Sequence, residues 1–485
     1  MTLYESLASD LELSIRNGTL RAGERMPSVR YTSRSRGVSL STVYQAYYLL
    51  EARGLIRARE RSGYFVAPAQ KLPGEPARAS RPTSEAVSLD VSDLILQILE
   101  GARVHDDAWF ASAFPSPHLF PLPRLAQALQ VASRSLRPEQ ILHDITPGSA
   151  ELRRQIAIRY GADGLAVDAD EVIVTNGALE ALNLCLDAVT RPGDAVVIEC
   201  PSFYGALQSL EARGLRAVQV ATHPRDGVEL DAMEAAILRH RPKACWMMTT
   251  FQNPLGTLMN PERKQALVDL LDRHQVPLIE DDVYAELYFT DQRPAPAKAY
   301  DRSGLVMHCS SFSKSLAPGF RVGWVAPGRF VSEVTRKKLS LNLGTSLPAQ
   351  LALAEYLAHG GFDKHLRQMR TKLKNRQATL AQAVARQFPE GTTATQPQGG
   401  YQLWVELPEG YDALELYWQA APHGVCFAPG PMFSPTRLFR NCMRLNYSGE
   451  CGPEQEQGIE LLGKLLQEQV AQGRSRREGA GLETA

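Results

Sequence analysis

The sequence predicts an α/β protein with two domains: a small, arginine-rich N-terminal domain and a large domain with a mostly parallel sheet flanked by helices. The chain has 485 residues, more than the roughly 100–200 residues of one domain. Its hydrophobic fraction of 44% is enough for large cores. The composition also changes twice along the chain. We therefore expect domains over residues 1–66 and 89–470, a linker over 67–88 that is rich in Pro, Ala and Ser, and a flexible polar tail over 471–485.

The N-terminal domain is basic. Residues 1–66 contain ten Arg, no Lys and six Asp or Glu, a net charge of +4 in a chain whose overall net charge is zero. A basic domain on a slightly acidic body favours an anionic partner. A charge of this size is also common on surfaces that bind no partner, so charge alone does not decide the function.

A helix pattern covers residues 39–51, with Ser39 as its N-cap. Apolar positions recur at the spacing i, i+3, i+4, i+7, and Gly37 marks a tight turn just before the helix. The opposite face carries Ser41, Thr42, Tyr44 and Gln45. This pattern is typical of a helix-turn-helix, whose second helix presents its N-terminal residues to the DNA major groove.

A β-hairpin signal follows the helix. Residues 54–59 and 64–66 are strand-like and flank a four-residue turn that contains glycine. The hairpin carries Arg57, Arg59 and Arg61, which predict contacts with the DNA backbone or minor groove. Taken singly, each of these side chains could equally be a solvated surface arginine. The predicted DNA-contacting residues are Arg30, Ser39, Ser41, Thr42, Tyr44, Gln45, Arg57, Arg59 and Arg61.

Short apolar runs separated by helix-length segments indicate buried parallel strands in the large domain. The runs lie at residues 172–175, 195–198, 244–248, 277–279 and 305–307. Each is followed at once by polar residues or glycine. Because ligands bind beyond the carboxyl ends of the strands in open α/β sheets, these polar clusters predict one shared site.

The clearest chemical motif is Ser310–Trp324, which contains Lys314. A lysine beside hydroxyls and an arginine can form a Schiff base with a carbonyl compound if it is desolvated or close to another cation. Asp281 offers a carboxylate for a pyridine nitrogen, and Tyr284 and Asn253 offer hydrogen-bond donors. An acidic cluster at a helix start is the alternative interpretation of the residues around Asp281.

Other segments add binding groups of lower specificity. Gly177 and Ala178 open a helix whose N–H groups suit a phosphate. Phe203 or Tyr204 offers an aromatic ring that either stacks on a flat ligand or packs in the core. Arg444, on a C-terminal apolar run, is suited to the carboxylate of an amino acid.

Residues 3–66 resemble the winged helix of the GntR family. The matching segments are residues 3–8, 18–30, 37–39, 42–43, 50–56 and 62–66. This resemblance implies that the domain binds double-stranded DNA.

Residues from about 105 to 468 resemble fold type I pyridoxal 5′-phosphate (PLP) enzymes of the aspartate aminotransferase family. The resemblance implies a large α/β domain with a smaller C-terminal α+β subdomain. It makes Lys314 the Schiff-base lysine and pairs Asp281 with the pyridine nitrogen. Tyr284 and Asn253 hold the ring hydroxyl, Phe203 or Tyr204 stacks on the ring, and Arg444 binds a carboxylate of the substrate or effector. The phosphate would be held by Gly177, Ala178, Ser311, Ser313 and Arg321.

Together the two resemblances identify the chain with the MocR-type branch of the GntR regulators. They imply a homodimer that regulates transcription and senses PLP or an amino compound through Lys314. One alternative is a working aminotransferase, because every group that transamination needs is present. Another is a DNA-binding protein that keeps the aminotransferase fold only as a dimerisation scaffold.

The remaining features exclude several classes of protein. The seven cysteines form no metal-binding or disulfide pattern, which indicates reduced thiols and no metal site. Neither a signal peptide nor an apolar run long enough to span a bilayer is present. We therefore expect a cytoplasmic protein that does not associate with membranes.

Overall fold

The computed structural model describes residues 3–59, 62–67, 72–76, 78–103, 110–139, 145–359 and 361–482, the last thirteen of these by their backbone only. Arg61, one of the predicted DNA contacts, lies outside the described residues. In the part that is described, no helix is both long enough and apolar enough to cross a membrane.

The N-terminal domain has three helices and a hairpin. They are α1 (Leu3–Arg16), α2 (Val29–Arg36), α3 (Leu40–Ala52), β1 (Ile56–Arg59) and β2 (Gly63–Val66). The two strands are antiparallel, with Ile56 opposite Val66. Gly37 ends α2 at φ 62°, a left-handed conformation that favours glycine, so the turn predicted between the two helices is present.

The helices of this domain pack around a small apolar core that includes Leu7, Val43 and Leu50. Thr32 of α2 is buried in the same region, although most of α2 is polar. Its hydroxyl lies 3.0 Å from that of Tyr47, which donates a hydrogen bond of 2.5 Å to the carbonyl of Pro27. A buried threonine is tolerated here because its hydroxyl has a partner.

The segment predicted as a linker is partly built into the large domain. The edge strand β3 (Ala86–Val87) pairs antiparallel with residues of the large sheet. The hydroxyl of Ser80 also donates 2.6 Å to the carbonyl of Cys200. The C-terminal part of the segment predicted as a linker is therefore fastened to the large domain. A two-residue edge strand is too short to leave an alternating pattern in the sequence.

The large domain contains a mixed sheet with helices on its faces. Along the sheet the strand order is β3-β6-β5-β8-β9-β10-β11-β4, and β7 pairs with β6. The strands are β4 (Ile173–Thr175), β5 (Ala195–Cys200), β6 (Arg216–His223), β7 (Gly227–Val228), β8 (Ala244–Met247), β9 (Leu278–Asp281), β10 (Val306–Ser311) and β11 (Gly323–Ala326).

The central strands β6, β5, β8, β9 and β10 are parallel neighbours. Strand β11 is antiparallel to both β10 and β4, so β4 also runs in the direction of the central strands. All five predicted strands are thus present and share one direction. The antiparallel β11 was not predicted.

Helices surround this sheet and cover its two faces. They are α4 (Ser92–Arg103), α5 (Leu122–Arg134), α6 (Ala150–Ala162), α7 (Ala178–Val189), α8 (Tyr204–Glu211), α9 (Leu230–His240), α10 (Pro261–His274), α11 (Val331–Asn342) and α12 (Leu347–Ala358). The apolar residues of the strands are buried against them, in clusters on both sides of the sheet.

The C-terminal part forms a smaller α+β unit, as the resemblance implied. It combines α13 (Gly361–Gln387), α14 (Ala413–Ala420) and α15 (Pro453–Leu482) with the antiparallel strands β12 (Thr393–Ala394), β13 (Gln402–Glu406), β14 (Ala428–Pro429) and β15 (Cys442–Asn446). Helix α15 continues to residue 482, so the structure gives residues 471–482 of the predicted tail a helical backbone. Arg, Ala, Glu and Gln residues there favour a helix, whereas the three glycines do not.

The N-terminal domain contacts helix α13 of the large domain. The side-chain amide of Gln382 donates a 2.8 Å hydrogen bond to the carbonyl of Arg53, at the end of α3. The guanidinium of Arg53 is itself paired with Glu12 of α1 at 2.6 Å. The end of α3 that contacts α13 is therefore opposite to the end that carries Ser39 and Gln45.

Candidate cofactor site and DNA-binding surface

The predicted site residues of the large domain come together at the carboxyl ends of the parallel strands. Gly177 follows β4, Phe203 follows β5, Asn253 follows β8, Asp281 ends β9 and Lys314 follows β10. Because these strands share one direction, their carboxyl ends lie along one edge of the sheet. The structure thus brings together residues that are up to 137 positions apart in the sequence.

Asp281 is a buried carboxylate that lacks one partner. It is 2% exposed, and its Oδ1 has no hydrogen-bond partner among the described residues. Burial raises the pKa of Asp281 to about 7, an effect that the charge of Lys314 partly offsets. A buried carboxylate oxygen without a donor is costly. The protonated nitrogen of a pyridine ring is a donor that fits it.

Lys314 is the predicted Schiff-base lysine, and its amine lies in a desolvated place. Burial lowers the pKa of Lys314 to about 7; Asp281 opposes this shift, whereas Arg444 and Arg321 reinforce it. A larger fraction of the side chain is therefore the neutral amine near neutral pH than for an ordinary lysine. The neutral amine is the form that attacks a carbonyl carbon.

Tyr284 lies in a network of polar and aromatic side chains. The side-chain amide of Gln402 donates to the Tyr284 hydroxyl at 2.9 Å, and that of Asn253 approaches it at 3.5 Å. The Tyr401 ring packs edge-on against the Tyr284 ring at 5.4 Å. Burial raises the pKa of Tyr284 to about 12, so the phenol remains protonated and can donate a hydrogen bond.

The groups predicted to hold a phosphate also assemble. The Arg321 guanidinium donates to the Ser313 hydroxyl and to the Asn176 carbonyl, both at 3.3 Å. Gly177 has φ 83°, and a Cβ there would lie 2.4 Å from the Arg321 guanidinium, so only glycine fits. Ser311 accepts from the Ser313 backbone at 3.4 Å.

Helix α7 begins at Ala178, directly after this turn. The N–H groups of its first turn lack partners within the helix. The N–H of Gly177 itself donates to the Thr175 carbonyl at 2.9 Å, so the free donors of this terminus begin at Ala178. Together with Arg321, they form an anion-binding corner at the edge of the sheet.

The two candidate stacking aromatics differ in burial. Tyr204 is buried and packs near Phe433, with ring centroids 6.1 Å apart. Phe203 is only partly buried and lies 4.8 Å from the Tyr204 ring. The Phe203 side chain therefore remains partly accessible to a ligand, whereas the Tyr204 side chain packs in the core.

Arg444 is fully buried on β15, and its hydrogen-bond partners are neutral. Its guanidinium donates to the carbonyls of Ala111 at 2.6 Å and Ser112 at 3.3 Å, and to Oδ1 of Asn253 at 3.2 Å. Nε has no partner among the described residues. A buried guanidinium without a counter-charge is a strong receptor for an anion.

Several groups in the site were not predicted from the sequence. The Lys314 amine donates to the carbonyl of Ala113 at 2.7 Å and lies 3.6 Å from the ring centroid of Phe114. The Tyr401 hydroxyl donates to the same carbonyl at 2.7 Å. The Gly-Gly-Tyr sequence that ends at Tyr401, just before a strand, was the one local signal for these contacts.

The predicted DNA-contacting face is exposed. Arg30, Ser41, Tyr44 and Gln45 are all solvent-accessible, as are Arg57 and Arg59 of the hairpin. The Ser39 hydroxyl accepts from the Thr42 backbone N–H at 3.1 Å, which confirms Ser39 as the N-cap of α3. The Tyr44 and Tyr48 rings lie 6.3 Å apart, and the Arg59 guanidinium lies 4.5 Å from the Phe65 ring centroid.

Among the described residues, no group of three or more His, Cys, Asp or Glu side chains has the arrangement of a metal site.

Both domains of the chain match known protein families. Residues 113–451 match the family described as aminotransferase class I and II, and residues 3–66 match the bacterial regulatory proteins of the gntR family. The chain is 45% identical to the uncharacterized HTH-type transcriptional regulator YdcR of Escherichia coli. The match covers 97% of this chain and 100% of YdcR. The chain belongs to the MocR-type HTH regulators.

Other relatives of this MocR-type chain extend the same result. A second uncharacterized HTH-type regulator of E. coli, YjiR, is 35% identical, and the match covers 96% of this chain and 99% of YjiR. Among solved structures, the α-aminoadipate aminotransferase LysN of Thermus thermophilus is 30% identical with a TM-score of 0.70. That match covers 78% of this chain and 95% of LysN, which was solved in complex with N-(5′-phosphopyridoxyl)-L-leucine. The MocR-type chain is thus a GntR-type DNA-binding regulator fused to an aminotransferase-like domain of fold type I.

Proposed function

We propose that this MocR-type regulator binds PLP at Lys314 and changes its DNA binding when an amino compound replaces Lys314 on the cofactor. The observation that carries this proposal is the pair formed by Asp281 and Lys314. Asp281 has a buried oxygen without a donor, and Lys314 has an amine of depressed pKa. Both features are explained if PLP is the missing group.

The residues present fit PLP at each of its functional groups. Asp281 would receive the pyridine nitrogen, Tyr284 and Asn253 the ring hydroxyl, and Phe203 the ring face. The phosphate would lie against Ala178, Ser313 and Arg321 at the start of α7. When bound, PLP supplies an electrophilic carbon and an electron-withdrawing ring.

Arg444 indicates which amino compounds the site accepts. In a ligand that carries both an amine and a carboxylate, the amine would replace Lys314 on the cofactor while the carboxylate binds Arg444. Such a ligand shifts the equilibrium between conformations only if it binds one of them more tightly than the other. An amino acid therefore fits the geometry better than a simple amine.

We further propose that the protein acts as a homodimer in the cytoplasm, where its DNA is. Ile145, Leu341 and Leu343 are apolar residues with 37%, 62% and 61% exposure. The segments of Ile145 and Leu343 are neighbours, because the Thr146 hydroxyl bonds to the Leu343 carbonyl. Exposed apolar residues of this kind suit an interface with a second copy of the chain.

The test is fluorescence anisotropy with labelled DNA from upstream of the protein's own gene. Random DNA is the competitor, and the salt concentration is near physiological because affinity depends steeply on it. We expect binding to be tighter than to random DNA by roughly a thousandfold or more. Sedimentation of the same preparation should give a species of twice the chain mass of 53.5 kDa. Equal affinity for both DNAs would show that the upstream DNA does not contain the operator. Equal affinity for DNA with and without amino acids would contradict the proposal that the protein senses them.

Transamination is a second candidate function, because LysN and this chain share the aminotransferase fold. The set formed by Lys314, Asp281 and Arg444 is chemically sufficient for it. A screen with amino donors and 2-oxo acids decides between the two functions. Turnover at ordinary enzyme rates, about 1 per second or faster, would favour catalysis as the main role.

The capture of PLP by the apoprotein should depend on pH in a characteristic way. With the pKa of Lys314 lowered to about 7, the rate should rise about tenfold between about pH 6 and about pH 8 and level off at the top of that range. A lysine with an ordinary pKa would give a rise of about a hundredfold without levelling. Stopped-flow absorbance of apoprotein mixed with PLP distinguishes the two curves.

A further inference from the structure

Residues Ala111–Phe114, which we call the strap, lie across the cofactor site and bond to both of its cationic groups. The carbonyls of Ala111 and Ser112 accept from Arg444, and the carbonyl of Ala113 accepts from Lys314. The Phe114 ring lies on the Lys314 amine, 3.6 Å from its centroid. Four consecutive residues thus contact both Lys314 and Arg444.

The two ends of the strap are fastened to strand β15 and the residues after it. The Asn446 backbone N–H donates to the carbonyl of Phe110 at 3.0 Å, and its side-chain amide donates to those of Ser112 at 2.9 Å and Phe114 at 2.8 Å. Beyond the strap, the Ser116 N–H donates to the Ser448 hydroxyl at 2.9 Å. The strap is therefore held by specific hydrogen bonds at its ends and its middle.

The strap contacts Lys314 and Arg444 through neutral carbonyl oxygens only. Among the described residues no carboxylate pairs with Arg444. Hydrogen bonds from a guanidinium to a carboxylate are about twice as strong as those to neutral acceptors. A carboxylate-bearing ligand can therefore compete with the carbonyls of Ala111 and Ser112, whereas a simple amine gains nothing at Arg444.

We propose that the strap is a built-in competitor, which an amino acid ligand must displace from Arg444 and Lys314 in order to bind. This inference rests on the proposed function, because it assumes that the ligand engages the same two groups. It adds that ligand affinity is set partly by the free energy of releasing the strap. Residues that hold the strap in place without touching the ligand then lower the affinity of the protein for that ligand.

The strap also has a position suited to signalling. In the sequence it lies between α4 and α5 of the large domain. The start of α4 is fastened by Glu211, which accepts from the backbone N–H groups of Val91 and Ser92 at 3.1 Å each. Glu211 ends helix α8, which begins directly after Phe203. Glu211 thus joins the start of α4 to a helix that begins beside the cofactor site.

The test compares two probes on the PLP-loaded protein. Aminooxyacetate carries an aminooxy group and a carboxylate, whereas methoxyamine carries the aminooxy group without the carboxylate. In both cases the aminooxy nitrogen would form a C=N bond with the cofactor carbon that is linked to Lys314, and the C=N bond from that carbon to the Lys314 nitrogen would break. Lys314 leaves as a free amine, with the two protons that the aminooxy nitrogen loses. The absorbance change reports the reaction directly.

Asn446→Ala removes two hydrogen bonds that hold the strap. We expect this variant to react with aminooxyacetate about tenfold faster at limiting concentration, the effect of losing two hydrogen bonds of ordinary net strength. Its gain with methoxyamine should be smaller, because that probe does not need Arg444. Asn441→Ala is the matched control: Asn441 bonds to the Leu407 carbonyl, away from the strap.

An Asn446→Ala variant that reacts with aminooxyacetate at the wild-type rate, or more slowly, would overturn the proposal. If that variant does not fold, Tyr401→Phe removes one hydrogen bond to the carbonyl of Ala113 and should accelerate the reaction by about threefold to tenfold. Failure of the proposed function has a different signature: wild-type protein that has been incubated with PLP and then dialysed exhaustively would hold no cofactor and show no reaction with either probe.

Discussion

Replacement of Lys314 by alanine should abolish the absorbance of PLP linked covalently to the protein. The amine of Lys314 is the nucleophile that forms the link, and its depressed pKa makes it reactive near neutral pH. Free PLP would still enter the site, because Asp281 and Arg321 remain, but dialysis would remove it. The measurement is the absorption spectrum after loading with PLP and exhaustive dialysis.

Other buried lysines cannot replace Lys314. Burial also lowers the pKa of Lys264 and of Lys338, but their amines are engaged elsewhere. Lys264 donates to the Thr250 hydroxyl at 2.7 Å, and Lys338 pairs with Glu180 at 2.8 Å. Lys337→Ala, an exposed position on α11, is the matched control and should keep the full absorbance. A Lys314→Ala variant with an unchanged spectrum would mean that the site has been assigned to the wrong lysine.

The predictable part of the structure is the part that side-chain patterns encode. Near-continuous apolar runs predicted the parallel strands, since buried strands need apolar residues on both faces. Polar residues directly after those runs predicted Asp281, Asn253 and Lys314 at one edge of the sheet. In the N-terminal domain, Ser39 was recognisable as an N-cap because its hydroxyl replaces a missing backbone partner.

The parts that escaped prediction depend on backbone groups or on very short elements. Arg444 was expected to hold a ligand carboxylate, but the carbonyls of Ala111 and Ser112 that contact it have no side-chain signature. They are also more than 330 positions away in the sequence. Strand β11 is four residues long and begins at Gly323, within the segment already interpreted as the lysine motif. Such contacts become visible only when the chain is folded.

Burial of polar residues was equally hidden in the sequence. Thr32 lies in a helix of mostly polar residues, so nothing in its own helix indicates that it is buried. Its partner is the hydroxyl of Tyr47, fifteen positions later on α3. That hydroxyl is on a residue whose ring packs in the core of the N-terminal domain. A polar pair of this kind needs both helices in place before either member is satisfied.

Gln45→Ala should reduce specific DNA binding by about tenfold to a hundredfold and leave binding to random DNA unchanged. Gln45 is exposed on the second turn of α3, where an amide can bond to the edge of an adenine. One good contact of this type is worth about 1–3 kcal/mol of discrimination between bases. Anisotropy titrations with operator DNA and with random DNA, at the same salt concentration, measure both effects.

Arg57→Gln on the hairpin provides the contrasting variant. If Arg57 contacts a phosphate, its loss weakens binding to operator and random DNA alike, and it lowers the slope of log affinity against log salt by about 0.9. Gln368→Ala, exposed on α13 of the large domain, should change neither quantity. The pair of variants separates base recognition from electrostatic attraction. If Gln45→Ala weakened binding to both DNAs equally, α3 would hold the DNA backbone, and the bases would have to be read from another element of the winged helix.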